Sequence, residues 1–111
     1  MNAPSRRQKI EAMLATEPAD QFLRYALAME LEKDAEHDRS VELFRGLTRD
    51  PQPHVPSFFM AGQNLTKHGR VEEARAILRD GIEEARRQGN AHAASEMSEL
   101  LASLGSMGGS W

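Results

Sequence analysis

The residues of this 111-residue chain whose types suit chemistry are four histidines, two adjacent glutamate pairs and a few clustered bases. His37, His54, His68 and His92 fall in turns or at the starts of expected helices. None is expected to have a second ligand at i+4, the spacing that sets two ligands on one helix face, or a carboxylate pair at metal spacing. They read as solvated loop residues. Glu72-Glu73 and Glu83-Glu84 resemble paired carboxylates, but helical neighbours diverge by about 100° and cannot jointly hold a reacting group. With Arg75, Arg79 and Arg87 at helical spacing they form a solvated, ion-paired face. The glycines make no phosphate cradle, since no strand precedes them. Arg6, Arg7 and Lys9 have no interleaved aromatic and read as solubilising rather than nucleic-acid binding. The expectation is a protein with no catalytic residues, no metal and no cofactor.

Composition narrows the class further. A chain of 111 residues supports one core. A net charge of −3 encodes no strong pull toward nucleic acid or an anionic membrane. The absence of cysteine excludes disulfides and thiolate metal sites and fits a reducing compartment. No apolar stretch follows Arg6-Arg7 as a leader would require, and none approaches the roughly 20 residues of a membrane span. A cytoplasmic protein without nucleic-acid or membrane partners is expected.

These side chains must be positioned by helices, because no segment alternates with a period of two. Ser5 is a suitable N-cap for a first helix carrying Ile10, Met13 and Leu14, ended at Thr16-Glu17-Pro18. Asp20 caps a second, with Leu23, Leu27, Ala28 and Leu31 as its stripe. A third, from about Asp38 to Arg49, points Val41, Phe44 and Leu47 inward and is stopped by Asp50-Pro51-Gln52-Pro53. Pro56 suits the first turn of the fourth, and Gly69 suits the left-handed residue that closes it. A fifth spans about Val71 to Arg87. A sixth, residues 91–104, carries Ala94, Met97, Ser98 and Leu101. The segment 105–111, ending in Trp111, lacks periodicity and is expected to be a flexible tail.

The chain repeats itself. A shift of 34 residues lays Tyr25 on Phe59, Ala28 on Gly62, Leu31 on Leu65, Ala35 on Gly69, Ser40 on Ala74 and Phe44 on Leu78. The unit is helix, turn, helix. Small residues at Ala28, Gly62, Ser40 and Ala74 let two backbones approach while larger neighbours fill the flanks. A bulky residue at any of the four should splay the pair.

Phe58, Ala61, Gly62, Leu65, Ala74 and Leu78, and less closely Arg24, Leu27, Ala28, Leu31, Ser40 and Phe44, resemble the tetratricopeptide repeat pattern. Pro51 comes one residue early, and Arg86 stands where the second unit's proline would fall, so its last helix should run on. The resemblance implies an all-α, right-handed α-solenoid of antiparallel helix hairpins with about six helices. A single domain over 1–104 would comprise a half-repeat at 5–18, repeats at 20–53 and 55–88, and a capping helix at 91–104.

The resemblance also implies a non-catalytic protein–protein interaction module, whose first helices line a concave groove for a peptide or helix of a partner protein. Carried onto this sequence, the groove residues are Phe22, Tyr25, Met29 and Lys33, then Phe59, Gln63 and Lys67, then His92, Ser95 and Glu99. Tyr25 and Phe59 lie off the packing stripe and should stand side by side with Met29 adjacent, unless the neighbouring unit packs over them. Tyr25 and Met29 occupy places where some relatives carry a lysine and an asparagine that clamp a carboxylate, which favours an apolar or amphipathic segment here. The alternative is a homo-oligomer, a self-associating scaffold whose groove takes another copy, with Trp111 as a candidate knob.

Overall fold

The computed structural model describes residues 3–107, which form six helices in a row with no strand among them. They are α1 (Arg6–Thr16), α2 (Gln21–Lys33), α3 (His37–Thr48), α4 (Val55–Lys67), α5 (Val71–Arg87) and α6 (Ala91–Met107). Each packs chiefly on the next, and α4 also meets α6. The outcome is a 56 × 29 × 19 Å array, longest along the stack as expected for units that contact only their neighbours.

Local chemistry fixes the helix ends. Ser5 Oγ accepts from the Gln8 amide at 3.1 Å while Gln8 Oε1 accepts from the Ser5 amide at 2.9 Å, a reciprocal capping box that starts α1. Asp20 accepts from the Leu23 amide at 2.8 Å to start α2. The helices α2, α4 and α5 are each followed by a left-handed residue: Ala35 (φ 61°), Gly69 (φ 78°) and Gly89 (φ 76°). In each turn the next amide returns to a carbonyl five residues back: Glu36 to Leu31, Arg70 to Leu65 and Asn90 to Ala85. This hydrogen bond satisfies a carbonyl that the helix end would leave open.

The apolar stripes then meet. Ala28, Leu31, Phe44, Leu47, Ala61, Leu65, Ala74, Leu78, Met97 and Leu104 are essentially inaccessible. Each of the large side chains among them contributes on the order of 2–3 kcal/mol by leaving water. Within the first hairpin the Ser40 hydroxyl donates to the Ala28 carbonyl at 2.7 Å in a fully buried contact. In the second hairpin, a Cβ on Gly62 would lie 2.6 Å from Leu78 Cδ2. Gly81 is as tightly held, between Phe58 and Met97, where it lets α5 touch helices on both sides.

Three expectations differ from what is observed. Met13 is 48% exposed rather than inward, because α1 packs chiefly on α2 and only Ile10 of α1 is buried. Leu27 is half-buried and lines an open apolar depression with Leu31 and Leu43. The helix α6 runs through Met107, past Leu104, and Leu104 rather than Ser98 completes its buried stripe. Arg75 donates to the Leu104 carbonyl at 2.6 Å and ties that end to α5. Trp111 lies outside the described residues.

Polar links tie neighbouring helices together. Arg24 grips Asp50 with two nitrogens, at 2.6 and 3.1 Å, and Gln21 adds a third donor at 2.9 Å. The start of α2 is thereby fastened to the turn after α3. Arg6 meets the buried Glu30 at 3.2 Å, while Arg7 pairs with Asp34, Glu36 and Glu11. Arg6 and Arg7 are therefore spent on holding α1 to α2 and its following turn.

Candidate functional site

The first helices of successive units, α2, α4 and α6, share one cavity of about 220 Å³. Its wall includes Tyr25 from α2, Val55, Pro56, Phe59 and Met60 from α4, and His92, Ala93 and Glu96 from α6. On α2, Phe22, Tyr25, Met29 and Lys33 fall at i, i+3, i+7 and i+11, beside the stripe that packs into the hairpin, and of these four Tyr25 lines the cavity while the others do not.

Burial across this face is graded. Phe22 is 74% exposed, an unusual degree for a phenylalanine on a helix. Tyr25, Met29 and Phe59 are half-buried and packed against the core. Lys33, Gln63, Lys67, His92, Ser95 and Glu99 are exposed. Tyr25 and Phe59 thus border the same cavity while resting on the core beneath it. The Tyr25 ring meets Phe44 edge-on at 5.6 Å and His54 at 5.1 Å, contacts that fix its orientation. Burial raises the Tyr25 hydroxyl above its ordinary pKa, so it is a neutral donor here. Burial likewise lowers His54, only partly countered by Asp50, and favours a neutral ring. His54 Nδ1 contacts Ser57 Oγ at 2.7 Å, within the first turn of α4.

A larger depression, about 500 Å³, lies between α3 and α5 and is lined by charge. Part of that charge is paired: Arg45 meets Glu73 at 2.9 Å and Arg87 pairs with Glu84, whereas Arg49, Asp80 and Glu83 line it outside any ion pair among the described residues. Glu72, Glu73 and Glu84 are ion-paired as helical spacing implies, to Arg75, Arg70 and Arg87, while among the same residues Glu83 and Arg79 are not. The mixed-sign wall makes this depression the weaker candidate for an apolar segment.

The histidines are the point at which local reading falls short. His37 and His68 are not isolated in solvent. Their rings lie 3.7 Å apart between centroids, and both reach Glu32, at 3.0 and 3.1 Å. Burial pushes the Glu32 carboxyl up, but the two imidazoles outweigh it and hold the group below the ordinary carboxylate range. No i+4 spacing signals this cluster, because its members come from three helix ends. His92 does have a carboxylate one turn on, Glu96 at 3.4 Å, in a highly exposed pair.

No protein-family model matches this sequence, and no curated protein matches it significantly. Solved structures do match. The solution structure of a tetratricopeptide repeat domain protein from Salinibacter ruber superposes with a TM-score of 0.73 at 32% identity, over 78% of this chain and 88% of that one. The crystal structure of a tetratricopeptide repeat domain protein from the same organism gives 0.69 at 31% identity, over 77% and 96%. A protein from Bordetella parapertussis gives 0.78 at 23% identity, over 95% and 91%, a likeness of fold alone. With its 34-residue unit, its paired small residues at the hairpin crossing and this shared identity over most of the chain, the protein belongs to the tetratricopeptide repeat family.

Proposed function

We propose that the face built by α2, α4 and α6 binds an apolar or amphipathic segment of a partner protein, without catalysis. The fold supports a protein-interaction module in general, and one observation carries the finer reading. Three successive first helices contribute Tyr25, Phe59 and His92 to a single cavity, and Phe22 projects from the same face of α2 with most of its surface in water. An exposed aromatic beside half-buried aromatics and Met29 offers the large, adaptable apolar contacts that anchor peptide segments. Lys33 and Lys67, both about 70% exposed, stand on the same helices beside Glu30 at 3.5 Å and Glu32 at 3.9 Å and give the rim a mixed polar character. An amphipathic segment fits this combination.

Selection of displayed peptides on the immobilised protein, followed by amide shift mapping, tests the reading. Selected peptides should perturb α2, α4 and α6 and lose affinity on Phe22→Ala combined with Phe59→Ala. Shifts confined to α3 and α5, or affinity unchanged by the double substitution, would refute it. Light scattering over a range of concentrations distinguishes a groove filled by a second copy.

A further inference from the structure

We propose that Glu32, His37 and His68 form a three-ligand site for a divalent transition ion of the zinc type, joining the inter-helix turns of consecutive units. The three residues come from different helix ends. Glu32 lies in the last turn of α2, His37 opens α3, and His68 caps the end of α4. Their candidate ligand atoms all fall within 4.8 Å of one another.

Glu32 Oε2 and His37 Nδ1 are both shielded from solvent and stand 3.0 Å apart, an ion-pair distance, and no hydrogen bond to any other group among the described residues holds either atom. A shielded carboxylate oxygen facing a shielded imidazole nitrogen can exchange the proton between them for a shared cation. Zinc–nitrogen and zinc–oxygen bonds of about 2.0–2.1 Å in a tetrahedron hold ligand atoms roughly 3.3 Å apart. Each imidazole already stands near that spacing from one carboxylate oxygen, His37 Nδ1 at 3.0 Å from Oε2 and His68 Nε2 at 3.1 Å from Oε1, and one ligand atom from each of the three residues falls within 4.8 Å of the others. The two imidazole rings are already 3.7 Å apart between centroids.

A second observation points to a fourth ligand. A cavity of about 260 Å³ adjoins the pair and is lined by His37, His68, Asn64, Asp38 and Arg70 among others. Asn64 is 6% exposed, and its Nδ2 is shielded and unpartnered. That amide is a free donor for a water or small anion completing the coordination. Two imidazoles and one carboxylate with an open fourth position match zinc and its neighbours rather than calcium or magnesium, which prefer all-oxygen sets.

The surrounding charges permit a cation. Lys67 lies 3.9 Å from Glu32 Oε1 but is 69% exposed and free to swing away. Arg70 is engaged by Asp38 at 3.2 Å and by Glu73. The C-terminal ends of α2 and α4 favour positive charge at this point, against the single opposing N-terminus of α3. An ion here would lock the angle between the first and second units.

The test uses the full chain after chelator treatment, titrated calorimetrically with ZnCl₂ and, separately, by visible absorption with CoCl₂. One ion per chain, the ligand-field bands of four-coordinate cobalt, and a raised thermal midpoint with zinc are expected. His68→Gln and His37→Gln should each weaken binding by at least about tenfold, whereas His92→Gln, at the exposed pair with Glu96, should leave it unchanged. Imidazole nitrogen shifts in the wild-type protein give a readout independent of how the variants fold. Zinc should move the His37 and His68 resonances and not those of His54 or His92. Absence of binding, shifts at His54 or His92 instead, or binding lost only in His92→Gln would each overturn the proposal.

Discussion

Gly62 and Leu78 touch so closely that the glycine has no room for a side chain: an added Cβ would stand 2.6 Å from Leu78 Cδ2. A helical glycine ordinarily costs about 1 kcal/mol relative to alanine, so steric fit rather than propensity explains its use. Gly62→Ala should destabilise by about 1–2 kcal/mol, the strain exceeding the propensity gain. In a Leu78→Ala background the same substitution should be neutral or stabilising. Chemical denaturation of the four proteins in the cycle measures this coupling.

The three turns with left-handed residues predict opposite effects of one methyl group. Ala35 occupies φ 61° while its counterpart Gly69 occupies φ 78°. Ala35→Gly should stabilise by up to about 1 kcal/mol, and Gly69→Ala should destabilise by about the same amount. Nothing stands within 4 Å of a Cβ at Gly69, so the expected loss is conformational and not steric. Thermal midpoints of the two variants decide it.

Asp50 is held below the ordinary carboxylate range mainly by Arg24, with Gln21 assisting against burial. A carboxyl with a lowered folded pKa adds stability that is full above its unfolded value and disappears as pH falls through the folded one. Asp50→Asn should therefore cost about 1–2 kcal/mol at neutral pH. The difference from wild type should narrow once the pH drops below about 3.9. Urea midpoints across a pH series supply the measurement.

His54 faces the Tyr25 ring, the Ser57 hydroxyl and the Asp50–Arg24 pair, and burial lowers its pKa. The unfolded chain then binds a proton more readily, so stability should fall as pH drops from about 6.5 toward the folded pKa. His54→Gln should remove that part of the acid loss. Proton resonances of the His54 ring should titrate below the ordinary imidazole value of about 6.5, and a midpoint at or above it would contradict the burial argument.

Much of this fold was legible in the residues because it is set locally. The Ser5 and Asp20 caps, the left-handed turn at Gly69, the stripe of Val41, Phe44 and Leu47, and the extension of α5 to Arg87 each depend on neighbours within one or two helical turns. The 34-residue repeat added the pairing of small residues at the hairpin crossing, since a repeated local pattern must be packed in a repeated way. The exposure of Met13 and the burial of Leu104 were not legible, because a stripe's periodicity does not say whether a partner helix covers it.

The sequence alone determined the helices, their faces and the order of stacking. The angle at which one unit sits on the next is decided only in three dimensions, by how Gly81 seats against Met97 of the capping helix and how Arg45 of the first unit reaches Glu73 of the second. That angle brings Tyr25, Phe59 and His92 to one cavity, and His37 and His68 to one carboxylate. Contacts between units join residues far apart in the chain, and no local spacing encodes the rotation that makes them meet.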